Sequence, residues 1–365
     1  MKNVFGEAIT YTLFGESHGP CTGITVDGLA PGMEIDLDYI NKMMQLRKAS
    51  GNISTARKED DELEFLSGVR NGFSEGTPLT IIIRNNNVRS QDYSKMSHIA
   101  RPGHADFTAQ KKYLGFQDPD GGGHFSGRLT APIVAAGSIV RLALEKKGIF
   151  IGSHIKSLHG INDVEMNYTA EEIKELNDRK FAVIDEEIGE RMKNEILKAR
   201  ENHDSVGGIL ETAVVGLPAG IGEPFFSSLE SVIAGAVFSI GGVKGIEFGS
   251  GFDLANMFGS EANDPFRIED GKVVTATNHM GGINGGISNG MPVVFNTVIK
   301  PTSSIGIRQE TVDFQKMENT ELELGGRHDP AIIHRARVVI DSITAMAIAE
   351  LLVQRYGYLY LGDQV

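Results

Sequence analysis

The sequence predicts an α+β fold, and three observations carry that prediction. Helical and strand-like segments mix without the regular strand–helix–strand beat of a doubly wound sheet. The first two strand-like segments flank a short glycine-bounded connection, as antiparallel neighbours do. Hydrophobic residues make up 41% of 365 positions, enough for a real core.

Residues 8–13 alternate and carry β-branched and aromatic side chains, so they read as a strand. Residues 22–28 read as another, ending at a turn. Between them lies Phe14-Gly15-Glu16-Ser17-His18-Gly19, where two glycines enclose a carboxylate, a hydroxyl and an imidazole. Glycine lets backbone approach closely there, and an imidazole moves protons near neutral pH. The opposing reading is a hairpin turn whose polar residues only satisfy one another.

Residues 36–48 predict a helix, with Asp36 as N-cap and an apolar stripe of Leu37, Ile40 and Met44. Residues 49–58 read as a loop, and 63–69 and 79–84 as strands. A polar stretch, 85–93, leads to Arg101-Pro102-Gly103-His104-Ala105-Asp106 and a helix over 107–114. Gly121-Gly122-Gly123-His124-Phe125-Ser126-Gly127-Arg128 precedes a strong helix, 131–147, with Gly148 at its C′ position. Residues 149–158 read as a strand, and 169–204 as two charged surface helices opened by a capping box at Thr169. A strand over 206–217, a helix over 228–240 and strands over 243–248 and 293–300 follow. The last helix is expected over 341–355.

Net charge is −13, from 48 acidic and 35 basic residues. That opposes nonspecific nucleic-acid binding, which needs a basic face. The acids gather in segments such as 58–64 and 185–201, while arginine and histidine gather in glycine-rich stretches. The picture is a cationic pocket inside an acidic protein. The single cysteine, Cys21, excludes an intrachain disulfide and any cysteine-pair zinc site. No run approaches the ~18 apolar residues of a membrane span. The start of the chain has no signal-peptide core, so a cytoplasmic location is expected.

Five polar, glycine-bearing stretches carry the candidate chemistry: 15–19, 101–106, 121–128, 300–306 and 325–329. Lys300-Pro301-Thr302-Ser303-Ser304 offers a cation, three hydroxyls and backbone N–H groups, the equipment of a phosphate cradle. Gly325-Gly326-Arg327-His328-Asp329 combines an anion clamp with a carboxylate. No P-loop, clean G-x-G-x-x-G, H-E-x-x-H or G-x-S-x-G is present. Metal binding by some of Glu16, His18, His104, His124 and Asp329 stays open, without a diagnostic spacing.

Read together with Arg89-Ser90-Gln91-Asp92-Tyr93 and Asn278-His279, these stretches resemble the chorismate synthase family over almost the whole chain. The resemblance implies one domain over residues 1–365 and a β-α-β sandwich, with antiparallel sheets and helices on the outside. It implies a homotetramer and a carbon–oxygen lyase acting on phosphate at the end of the shikimate pathway to aromatic amino acids. The implied substrate is 5-enolpyruvylshikimate 3-phosphate (EPSP), which loses phosphate and a proton in an anti-1,4-elimination. The implied cofactor is reduced FMN, with NADPH acting only indirectly as a reductant of flavin; because no clean dinucleotide fingerprint is present, an external flavin reductase is expected as the source of reduced FMN.

The resemblance also implies roles for single residues. His18 is implied as proton donor for phosphate loss, His104 as proton donor beside the flavin, and Asp329 as the group that works with flavin in taking the substrate proton. Arg47, Arg57, Arg101, Arg128 and Arg327 are implied to hold substrate anions, Arg47 alternatively a nicotinamide nucleotide. FMN contacts are implied for His124, Phe125, Ser126, Gly241, Gly242, Gly285, Lys300, Pro301, Thr302, Ser303, Ser304 and Arg327. The chain departs from the family at Lys48-Ala49-Ser50, Ile53, His124, Gly127-Arg128-Leu129 and Gly241-Gly242. His98, His154, His159, His203, His279 and His334 are read as structural. Two other readings remain: a metal-dependent lyase using the same histidines, and a noncatalytic sensor of an anionic metabolite.

Overall fold

Alternation sets Thr10–Gly15 against Cys21–Asp27, with Thr10 opposite Asp27 and Gly15 opposite Thr22. The computed structural model describes residues 3–49, 51–54, 61–85, 98–325 and 328–363. Those two strands are joined by Val4–Phe5, Leu79–Arg84 and Leu63–Ser67 in a five-stranded sheet whose neighbours all run antiparallel. A second antiparallel five-stranded sheet runs in the order Val243–Phe248, Val293–Ile299, Gly208–Val215, Phe150–Leu158 and Ile161–Asn162.

The α+β class, the antiparallel pairing and the β-α-β sandwich are as expected; the helices expected on the outside are placed differently. Thr130–Lys146 packs against the first sheet, the C-terminal helix Ile333–Tyr356 packs against the second, and the two helices pack against each other. They therefore lie between the sheets. Of the helices packed on a sheet face, Ala170–Asp178 covers the outer side of the second sheet. There Ile173 and Leu176 join Ala213 and Val294 in a small separate core. The inner position follows from composition: Thr130–Lys146 is apolar nearly all round, and such a helix must be buried on every side. At the crossing, a Cβ on Gly137 would stand 2.5 Å from that of Ser342, so glycine sets the close approach of the two helices. The stretch Gly127–Lys146 is long and apolar enough to cross a membrane by composition, contrary to the first reading. It is 83% buried here because it is the core helix.

Local signals hold elsewhere. Asp36 caps Leu37–Arg47 by accepting from the backbone N–H groups of Asp38 and Tyr39. Thr169 accepts from that of Glu172. The C-terminal helix begins at Ile333, eight residues before the expected start. His334, Arg337 and Asp341 interrupt the apolar pattern yet are buried, since each has a polar partner. Arg337 Nη1 donates to Asp341 Oδ2 at 3.2 Å, and Ser54 Oγ lies 2.8 Å from His334 Nε2. Arg141 Nη1 stands 3.7 Å from the same Asp341 oxygen, so two buried guanidiniums share one carboxylate between the sheets. His154 is also buried, its ring nitrogens 2.9 Å from Asp163 and 3.3 Å from Glu211. Burial opposes its charged form, but the two carboxylates outweigh this and raise its pKa.

Candidate active site

The connection after Thr10–Gly15 is tied to the glycine-rich third stretch. Ser17 N–H donates to Gly123 O at 3.1 Å, and His124 Nδ1 lies 2.8 Å from Gly15 O, so that nitrogen carries the proton. Asn85, at the end of Leu79–Arg84, donates from Nδ2 to Glu16 O (3.0 Å) and Gly19 O (2.7 Å). Gly121, Gly122 and Gly123 all have positive φ. A Cβ on Gly121 would sit 1.9 Å from His18 Cε1 and 2.2 Å from its Nδ1, so only glycine leaves room for that imidazole. One residue on, a Cβ at Gly122 would lie 3.6 Å from His104 Cε1 and Nε2. Two imidazoles from separate stretches thus face one ribbon of backbone.

The second stretch meets the fourth and the fourth meets the fifth. Gly103 O accepts from Lys300 Nζ (3.2 Å) and Ser303 Oγ (2.8 Å), and Thr302 Oγ1 donates to Asp329 O at 2.8 Å. Between the fourth and fifth stretches the chain makes the hairpin Gln309–Asp313 and Glu318–Leu322. It braces the segment before Arg101: Ala100 N–H donates to Val312 O (3.2 Å) and Phe314 N–H to His98 O (3.0 Å). Gly242 O accepts from the Lys300 N–H at 2.9 Å, which brings Gly241-Gly242 to the same place. Phe125 is partly exposed, its ring centroid 6.1 Å from that of Tyr113, and Ser126 Oγ caps the next turn by accepting from Arg128 N–H.

The charges are arranged for anions. Arg47 Nη2 and Arg128 Nη1 donate to the two oxygens of Asp61 at 2.7 and 2.9 Å, and all three groups are buried. Two guanidiniums thus meet on one buried carboxylate. Lys300 Nζ contacts a hydroxyl and carbonyl oxygens, and among the described residues no carboxylate pairs with it. Burial and then Lys244 push its pKa down, the condition of a cation that lacks a counter-ion. That environment fits a phosphate. Lys180 is held down in the same way by burial, Arg335 and Lys48, and has no ion-pair partner among the described residues. Asp329 Oδ2 accepts from Arg335 Nη1 at 2.6 Å, and Arg335 Nε donates to Arg47 O at 2.9 Å.

Comparison with known proteins gives the family. A family model described as chorismate synthase matches residues 9–353. The chain belongs to the chorismate synthase family. It is 44% identical to the chorismate synthase of Thermococcus kodakarensis over 353 residues, covering 97% of this chain and 98% of that one. It is 44% identical to that of Pyrococcus abyssi over 350 residues, covering 96% and 97%. A solved structure titled Crystal Structure of Chorismate Synthase superposes with a TM-score of 0.75 at 25% identity, covering 98% of this chain and 94% of that one.

Against the expectation for a chorismate synthase, most sequence candidates converge, but not all. Arg57, Arg327 and the segment 89–93 lie outside the described residues. Gly285 sits on the short hairpin Ile283–Asn284 and Ile287–Ser288, whose neighbour Gly286 accepts from Leu229 N–H; no described contact links it to the cluster. Arg101 is engaged inside the chain, its Nε and Nη2 donating to Asp106 at 2.8 and 2.7 Å. Sequence reasoning missed Asp61, Asn85, Lys180, Lys244 and Arg335. Asp61 fell in an acid-rich segment read as part of the protein's negative balance, yet its side chain is wholly buried. The signal was available in principle, because arginines expected in a water-poor pocket require a buried carboxylate. Among the described residues, no group of three His, Cys, Asp or Glu is placed to hold a metal ion.

Proposed function

We propose that this chain converts EPSP to chorismate and phosphate, a 1,4-elimination without net redox change, with reduced FMN bound beside the substrate. The observation that carries the proposal is the approach of two imidazoles, His18 and His104, to the Gly121–Gly123 backbone, with Lys300 and Ser303 bonded to Gly103, the neighbour of His104, in a chain of net charge −13. The substrate has two carboxylates and a phosphate, so its binding needs a local excess of positive charge. Arg47 and Arg128, held together on Asp61, are assigned to the substrate anions, and Lys180, without an ion-pair partner among the described residues, adds positive charge near Arg335 and Asp329. The Lys300–Ser304 turn suits the FMN phosphate. Reduced FMN, when bound, supplies transient electron donation that helps expel phosphate. His18 protonates the departing phosphate, His104 donates a proton beside the flavin, and Asp329 receives the substrate proton, held in orientation by Arg335.

The test is phosphate release from EPSP by the purified protein under anaerobic conditions with chemically reduced FMN. Stoichiometric phosphate and chorismate are expected. Binding of EPSP without phosphate release identifies an anionic-metabolite sensor instead.

We further propose a homotetramer. The segment 251–275 exposes Phe252, Phe258, Phe266 and Ile268, apolar surface suited to symmetric contacts. Light scattering at micromolar concentration is expected to give about four times the 39.5 kDa chain mass. A mass near 39.5 kDa would refute the assembly.

A further inference from the structure

We infer that Asp106 and Arg101 are positioning residues which fix the tautomer of His104, leaving Nε2 as the atom through which this imidazole moves a proton. His104 Nδ1 lies 2.7 Å from Asp106 Oδ1 and 3.0 Å from Arg101 Nη2. A guanidinium only donates and an ionised carboxylate only accepts, so Nδ1 satisfies one of these neighbours, not both. The carboxylate contact is shorter and charge-assisted, which places the Nδ1 proton towards Asp106. Arg101 fixes the carboxylate in turn, through Nε to Oδ2 at 2.8 Å, Nη2 to Oδ1 at 2.7 Å and its own N–H to Oδ2 at 2.9 Å. Burial raises the Asp106 pKa, but the hydrogen bonds from Arg101 and His104 outweigh it, so the carboxyl is held well below the usual carboxylate range. It therefore stays an acceptor across the working pH range. Among the described residues, the other titratable groups at this corner are Lys300, which reaches Gly103 O, and His18 across the glycine ribbon. Neither contacts Nδ1.

The geometry is that of an imidazole oriented by a third group, as in hydrolase triads. It also changes the role of Arg101. Two of its three guanidinium nitrogens are committed to Asp106, so it acts on substrate through His104 rather than as an anion clamp. The catalytic consequence rests on the proposed reaction, whereas the tautomer does not.

The experiment uses full-length protein carrying ¹⁵N-histidine, with His104→Ala to assign its signal. In wild type at a pH where His104 is neutral, Nδ1 is expected protonated and Nε2 bare. In Asp106→Asn, whose amide can donate to Nδ1, the population should move towards the Nε2-protonated form. The same variant should lower kcat by about tenfold or more, change KM for EPSP by less than about twofold, and move a limb of the kcat pH profile. Adding Asp106→Asn to His104→Ala should cost nothing further, since the two act as one unit. A merely structural Asp106 would still lower activity in that background. A bare Nδ1 in wild type, an unchanged pH profile in Asp106→Asn, or additive losses in the double variant would each overturn the inference. If Asp106→Asn does not fold, the wild-type tautomer decides alone. Failure of the proposed reaction is seen separately, as absence of phosphate release by wild type.

Discussion

Replacing His104 by alanine lowers turnover by roughly 10²–10⁴-fold, the span usual for one acid–base group, while the protein stays folded. The fold should survive because the ring is part-buried at the edge of the site rather than set in the core. Its neighbours there are Asp106, Arg101 and the backbone of Gly122. The loss should fall on kcat more than on KM, since the imidazole works on a proton rather than on the substrate anions. Those anions are assigned to the arginines on Asp61 and to the cations near Asp329. Steady-state phosphate release at neutral pH, with thermal melting as a control for folding, measures the effect. Full activity in the variant would remove His104 from the reaction.

The second large effect is all-or-none and concerns the reductant. In an anaerobic mixture of protein, EPSP and oxidised FMN, dithionite should give prompt chorismate and NADPH almost none. A protein that reduces flavin with NADPH needs a seat for the dinucleotide, most often a glycine turn between a strand and a helix N-terminus. The glycine runs of this chain are used otherwise. Residues 281–290 fold around the hairpin Ile283–Asn284 and Ile287–Ser288, and Gly121–Gly123 form the ribbon against which His18 and His104 pack. The proposed function therefore expects reduced flavin to be delivered, with an external flavin reductase as its source in the cell. Comparable rates with dithionite and NADPH would show an intrinsic reductase. Turnover without any reductant would end the flavin requirement.

By itself the sequence determined most elements and the chemical inventory. Alternation, caps and glycine stops act over a few residues, so Thr10–Gly15, Leu37–Arg47 and Phe150–Leu158 could be read locally. The five stretches were visible because glycine beside histidine, arginine and serine is an unusual local composition. Their order along the chain carried the family resemblance. What the tertiary structure decided is everything that depends on which groups share a volume. The start of Ile333–Tyr356 was illegible because its polar residues break the apolar period, and only their partners, Asn177, Ser54 and the shared carboxylate of Asp341, make burial affordable. Asp61 was one acid among several until Arg47 and Arg128 closed on it from other segments. Arg101 stood among the arginines that the resemblance assigns to substrate anions, and only the folded chain shows Asp106, five residues on, engaging two of its guanidinium nitrogens. Local patterns report the conformation of a segment, whereas pairing of buried charge depends on distances between segments, and only the folded chain sets those.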